Sequence, residues 1–129
     1  MSVEIRMLVW SVILGLVQIL AAAAAGMGQR GSAWAASSRD EPPPALTGVA
    51  GRLDRARANF LETFAFFAAL VLALVAAARQ DATSALGAQL YFWGRLVYVP
   101  IYAAGIPYLR TLVWAVSIAG LVLLLVALF

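Results

Sequence analysis

The chain alternates long apolar stretches with short polar ones. Residues 7–25 (Met7 to Ala25) carry no charged side chain. As a helix rising ~1.5 Å per residue this stretch spans about 29 Å, the thickness of a bilayer hydrocarbon core. Three more stretches repeat the pattern: residues 60–78 with Glu62 as their only charge, 86–104 with Arg95 inside, and 111–129 with none. Helices are expected, because a lone strand leaves its backbone unsatisfied in lipid. The pattern therefore predicts an all-α, integral membrane four-helix bundle of up-down-up-down topology, one domain over residues 1–129. A cleavable signal peptide is the rival reading of the first stretch. Signal cores are usually ~7–15 residues with a basic start, whereas this one is longer and follows Glu4 as well as Arg6.

Residues 26–50 form the long connection. Gly26, Gly28, Gly31, Ser32 and Pro42-Pro43-Pro44 predict that it lacks regular structure. Residues 79–85 read as a short turn, and Gly105-Ile106-Pro107 separates the third span from the fourth. Pro100 predicts a kink in the third. Arg30, Arg39, Arg52, Arg55, Arg57 and Arg110 fall on one side of the spans, and Arg6 and Arg79 on the other. The positive-inside rule then places the long loop in the cytoplasm and both termini on the non-cytoplasmic side. Trp10 and Trp114 lie near span ends, as interfacial anchors do.

Composition agrees with a lipid solvent. Hydrophobic residues make up 64% of the chain and charged ones 12%, against roughly 25% charged in soluble domains. There is no Cys and no His, which excludes disulfides, thiol nucleophiles, a His base and the usual zinc or haem ligands; no metal site is expected. All the basic residues are Arg, a hint of GC-rich bacterial coding and hence of a bacterial inner membrane. A net charge of +3, dispersed along the chain, gives no footprint for nucleic acid.

The polar residues that remain form two stripes. At ~100° per residue, Arg52, Arg55, Asn59 and Glu62 project from one arc of about 80° at the start of the second span. A charge facing hydrocarbon costs several kcal/mol, so this face turns to a partner helix, a water-filled cleft or a ligand. On the third span Tyr91, Arg95, Tyr98 and Tyr102 share about 60° of one face. Arg95 is the expected partner of Glu62, since intramembrane charges pair. One reading of these stripes is structural: an ion pair and Asn59 as glue between helices, tyrosines in core or interface, Arg52 and Arg57 as topology signals. The other is a site for an anion, held by guanidiniums that fork onto carboxylates. A deep cationic site also favours a thiolate over a thiol, whose ordinary pKa is about 8.5.

The two motifs resemble those of the MAPEG family, membrane-associated proteins in eicosanoid and glutathione metabolism. Arg55-Ala56-Arg57-Ala58-Asn59-Phe60-Leu61-Glu62 is similar to the family's Arg-Ala-x-x-Asn-x-x-Glu signature. Arg95-Leu-Val-Tyr98-Val-Pro100-Ile-Tyr102, followed by Arg110, is similar to its helix-three pattern. One extra residue and Pro107 separate Tyr102 from Arg110, a departure from that pattern. The resemblance implies a homotrimer binding glutathione as co-substrate between subunits near the cytoplasmic face. It implies that Arg55, Asn59, Glu62, Tyr98 and Tyr102 contact glutathione, with Arg52 and Arg95 as neighbouring guanidiniums. Arg110 takes the place proposed to stabilise the thiolate. Arg30 is similar in place to a second family arginine.

The expected function is a membrane-bound glutathione-dependent transferase or peroxidase acting on lipophilic electrophiles that arrive from the bilayer. A non-enzymatic protein that binds a lipid or a partner is the alternative. A small multidrug exporter, with Glu62 as its intramembrane carboxylate, is a third.

Overall fold

The computed structural model describes residues 1–129 and contains five helices and no strand. They are α1 (Val3–Arg30), α2 (Ser32–Ala36), α3 (Gly48–Ala76), α4 (Ala82–Ala103) and α5 (Pro107–Leu128). The four long helices overlap the four expected spans. Three of them, α1, α3 and α5, are long and apolar enough to cross a membrane. α4 has 22 residues, but Arg95 and its tyrosines lower its apolarity.

Boundaries differ from the sequence reading at three places. α1 continues through Gly26 and Gly28 to Arg30 and stops at Gly31, whose φ of +90° suits glycine. Glycine inside a helix costs only about 1 kcal/mol relative to alanine, so two of them do not end it. A further helical turn, α2, follows, and irregular chain is confined to the segment around the three prolines. α4 begins at Ala82 because Asp81 and Ser84 form a reciprocal capping box: Ser84 N–H donates to Asp81 Oδ1 and Asp81 N–H to Ser84 Oγ, both at 2.8 Å.

α3 is the spine. Phe60, Phe67, Val71 and Leu74, spaced three, four or seven apart, are buried against Met7 and Leu14 of α1, Ala88, Tyr91 and Phe92 of α4 and Leu124 of α5. Tyr91, expected on the polar stripe of the third span, instead lies in this core. Its ring stacks on Phe67 with centroids 4.1 Å apart, and its hydroxyl shares a 3.0 Å hydrogen bond with Thr63. The opposite faces of the helices expose large apolar residues such as Leu20, Phe66, Trp93 and Val126, as a lipid solvent permits. At the far end from the long loop, buried Glu4 accepts a hydrogen bond from Ser84 Oγ, tying the start of α1 to the start of α4.

α4 and α5 pack closely through small residues. A Cβ on Gly87 would lie 2.7 Å from the Gly120 carbonyl oxygen, and one on Gly120 2.8 Å from the Tyr91 amide nitrogen. Gly94 meets Ser117 farther along the same seam. Small residues here let backbones touch, which is how helices associate in lipid without a hydrophobic drive. The antiparallel seam sets where Arg110, at the start of α5, stands relative to α4.

Gly120→Ala is expected to destabilise the bundle by about 1–3 kcal/mol, since backbone on both sides resists movement. Gly28→Ala, where a Cβ meets nothing within 4 Å, should be neutral or stabilise by up to about 1 kcal/mol. Paired unfolding titrations of the two variants in mixed micelles check both signs.

Candidate functional site

The antiparallel pairing of α3 with α4 brings the two polar stripes together at the long-loop end of the bundle. Arg52 Nε donates to the Ala103 carbonyl at 2.9 Å, and its guanidinium lies beside Gly105 in the turn between α4 and α5. Arg55 Nε donates to the Tyr102 hydroxyl at 3.0 Å. Arg95 Nη1 donates to Asn59 Oδ1 at 2.8 Å. Three successive positions of one helix face thus each engage α4, and the register is fixed at three points.

Arg95 is 1% exposed. Beyond Asn59 its surroundings are aromatic: the guanidinium carbon lies 4.4 Å from the Tyr98 ring centre and 5.7 Å from that of Phe60. Ring faces attract a desolvated cation, and this partly replaces lost water. Its Nε and Nη2 have no hydrogen-bond partner. The expected ion pair with Glu62 does not form. The one ion pair in the chain joins Arg57 to Asp54 at 2.9 Å. Glu62, one turn beyond Asn59 and rotated about 60° from it, is exposed and comes within ion-pairing distance of no arginine.

Arg110 joins the cluster from α5 despite the extra residue and Pro107. Pro107 begins α5, where its missing N–H costs nothing, and so starts the helix that carries Arg110 back over α4. The Arg110 guanidinium lies 4.9 Å from the Tyr102 ring centre, and that of Arg55 5.8 Å. The Tyr98 and Tyr102 rings are 5.5 Å apart. Two small cavities meet at Arg110. One, of about 100 Å³, is lined by Asn59, Tyr98, Arg110, Thr111 and Trp114. The other, of about 150 Å³, is lined by Arg52, Tyr102, Gly105, Ile106, Pro107 and Arg110.

Seven of the eight expected site residues therefore converge: Arg52, Arg55, Asn59, Arg95, Tyr98, Tyr102 and Arg110. Glu62, on the same face of α3 as Arg55, is exposed and makes no ion pair with the others. Thr111 and Trp114 lie outside the expected set, and Trp114 reads from sequence as an interfacial anchor. Their spacing from Arg110, one and four residues along a helix, is the available signal. None of the four clustered guanidiniums is ion-paired, so the arrangement suits a ligand bearing carboxylates.

The sequence profile of the MAPEG family matches residues 7–129. The chain belongs to the MAPEG family. Its apolar helices and this membership make it an integral membrane protein of that family. No curated protein matches the chain.

Asn59→Ala leaves the buried Arg95 without its one hydrogen-bonded partner. It is expected to destabilise the fold by about 1.5–3 kcal/mol, read as a lowered denaturation midpoint in mixed micelles. Arg55→Ala, at an exposed position, should change the same midpoint by less than about 1 kcal/mol.

Proposed function

We propose that this MAPEG protein is a membrane-bound glutathione-dependent transferase or peroxidase acting on lipophilic electrophiles. The observation that carries the reading is the placement of Arg110: half-buried, free of any carboxylate, and lining both cavities between Asn59 and Tyr102. A thiol bound there meets a guanidinium and two phenol rings in place of water. A neighbouring cation lowers a thiol's pKa from its usual value of about 8.5. The reaction then needs no base from the chain, consistent with the absence of His and Cys.

In this reading Arg55 and its neighbour Arg52 hold the carboxylates of glutathione, and Asn59, Tyr98 and Tyr102 line the peptide. Arg95 fixes Asn59, and exposed Glu62 meets the ligand's ammonium group. The thiol proton leaves to water, and Arg110 stabilises the sulfur anion. Sulfur then attacks the electrophilic carbon or the peroxide oxygen, and the leaving group departs with the bonding electrons. Electrophiles enter from the bilayer past Trp114.

The cavities are small for a tripeptide, because small-molecule sites are usually about 300–1,000 Å³. A homotrimer, in which a second copy walls the site, supplies the missing surface. α4 serves as the fourth span, with its polar face turned inward and both termini on the non-cytoplasmic side. The excess of Arg at the long-loop end supports that orientation in a bacterial inner membrane.

One observation favours a non-enzymatic lipid-binding reading. An apolar groove of about 380 Å³ between α1 and α4 is lined by Leu14, Val17, Leu53, Leu96, Val97 and Val99 among others.

Calorimetric titration of glutathione into detergent-purified protein decides between them. Saturable binding lost in the Asn59→Ala, Glu62→Ala double variant is expected, and absence of binding to folded protein rejects the enzyme. Arg110→Ala should lower turnover about 10²–10³-fold, as loss of one anion-stabilising donor does, with affinity changed much less. Its thiolate signal in ultraviolet difference absorbance should disappear. Equal losses in turnover and affinity would reassign Arg110 to binding alone.

A further inference from the structure

A second basic cavity, of about 310 Å³, lies where the loop after α1 folds back over α3. It shares no lining residue with the two cavities at Arg110. Its α3 wall is Asp54 and Arg57, rotated more than about 90° around the helix from Arg55 and Asn59.

The centre of this cavity is Trp34. The guanidinium carbons of Arg30 and Arg39 lie 5.2 and 5.1 Å from its ring centre. Each of the two side chains makes one hydrogen bond, to a backbone carbonyl: Arg30 Nε to Pro44 and Arg39 Nη2 to Ala35, both at 2.9 Å. A guanidinium has five N–H donors in a planar fork, so most remain free. Neither guanidinium is ion-paired: Asp54 is taken by Arg57, Asp40 accepts from Ser38, and Glu41, whose backbone carbonyl accepts from the Trp34 indole, makes no ion pair. Arg39 is also held at φ +59°, in the left-handed region that non-glycine residues seldom occupy. Two like charges line one cavity beside one indole, and an anion in that cavity offsets their repulsion.

The floor is apolar. Ile19, Ala23 and Met27 of α1 line it, and they belong to a helix apolar enough to cross a membrane. The cavity therefore joins a cationic, aromatic rim to a strip that runs down into hydrocarbon. Trp at the headgroup level and basic clusters beside a span are the features that meet anionic lipid.

We propose that this cavity binds an anionic phospholipid from the leaflet on the loop side. Its phosphate sits in the cavity that Arg30, Arg39 and Trp34 line, and an acyl chain lies along Ile19 and Ala23. The phosphate offers oxygens in the geometry that an arginine fork matches. The apolar floor selects a lipid over a free anion. Occupancy would pin the loop to α1 and α3. The inference does not depend on the reaction proposed above.

Native mass spectrometry of the full-length protein tests it, with phosphatidylglycerol and phosphatidylcholine of identical chains competing in equal amounts. Wild-type protein should retain phosphatidylglycerol preferentially. Arg30→Gln and Arg39→Gln should each lower that preference about five-fold, and the double variant about 25-fold, as expected for basic residues at an anionic surface. Circular-dichroism melts matching wild type establish that the variants are folded. Wild-type protein without a preference overturns the proposal whatever the variants do. So does an undiminished preference in the folded double variant. Complete displacement of the lipid by millimolar inorganic phosphate would overturn the lipid as occupant. Loss of glutathione binding in Arg39→Gln would assign the cavity to the thiol site instead.

Discussion

A guanidinium carried into the middle of an apolar bundle is the constraint from which the rest of this structure follows. Arg95 lies almost wholly out of solvent, where an unpaired charge costs several kcal/mol. Its compensation comes from the Asn59 amide and from two aromatic faces. Asn59 can reach Arg95 in one register of α3 against α4. That register also sets Arg55 on Tyr102 and Arg52 on the Ala103 carbonyl. Tyr91 and Thr63, one turn farther into the bundle, share a hydrogen bond between side chains deep in the core. Polar groups thus specify the alignment that apolar packing alone leaves free to slide.

The same constraint shapes the site's charge. Arg52, Arg55, Arg95 and Arg110 gather with no carboxylate in contact, and their neighbours are tyrosines. Phenols orient and shield the cations without neutralising them. A positive field therefore persists, and around buried Arg95 and half-buried Arg110 charge interactions weaken less than in bulk solvent. α5 reaches this region because the Gly87–Gly120 contact draws it against α4, so a close backbone seam at one end of the helix pair helps position Arg110 at the other.

The loop over α1 follows a different logic. Its guanidiniums lie nearer the surface and are organised by one indole and by backbone carbonyls. A composition reading finds glycine and proline there and expects no order. Helix α1 in fact persists through two glycines, because each costs less than the hydrogen bonds that continue around it. The side chains that meet the Trp34 ring are Arg30 and Arg39, four residues before it and five after. Arg30 has the i, i+4 spacing of a helix, but Gly31 interrupts the helix between it and Trp34, and Arg39 has no such spacing, so only the fold of the loop brings both cations to the ring.

Much of this protein is legible along the chain. The apolar stretches specify helices, because lipid forbids unsatisfied backbone, and the arcs of Arg52, Arg55 and Asn59 and of Arg95, Tyr98 and Tyr102 follow from helical geometry alone. Periodicity says which side chains share a face. It does not say which of them meets a partner across the interface, and three assignments turn on that. Arg95 pairs with Asn59 and not with Glu62, because α3 presents Asn59 to it and leaves Glu62 exposed and out of ion-pairing distance. Tyr91 belongs to the core, because Thr63 and Phe67 stand opposite. Thr111 and Trp114 line the Arg110 cavity, because α5 is drawn in along a seam of small residues that runs from Gly94–Ser117 to Gly87–Gly120. Helix and stripe are properties of neighbours in sequence, set by local backbone geometry. Partner, burial and cavity depend on distances between helices, and these exist only once the bundle has packed.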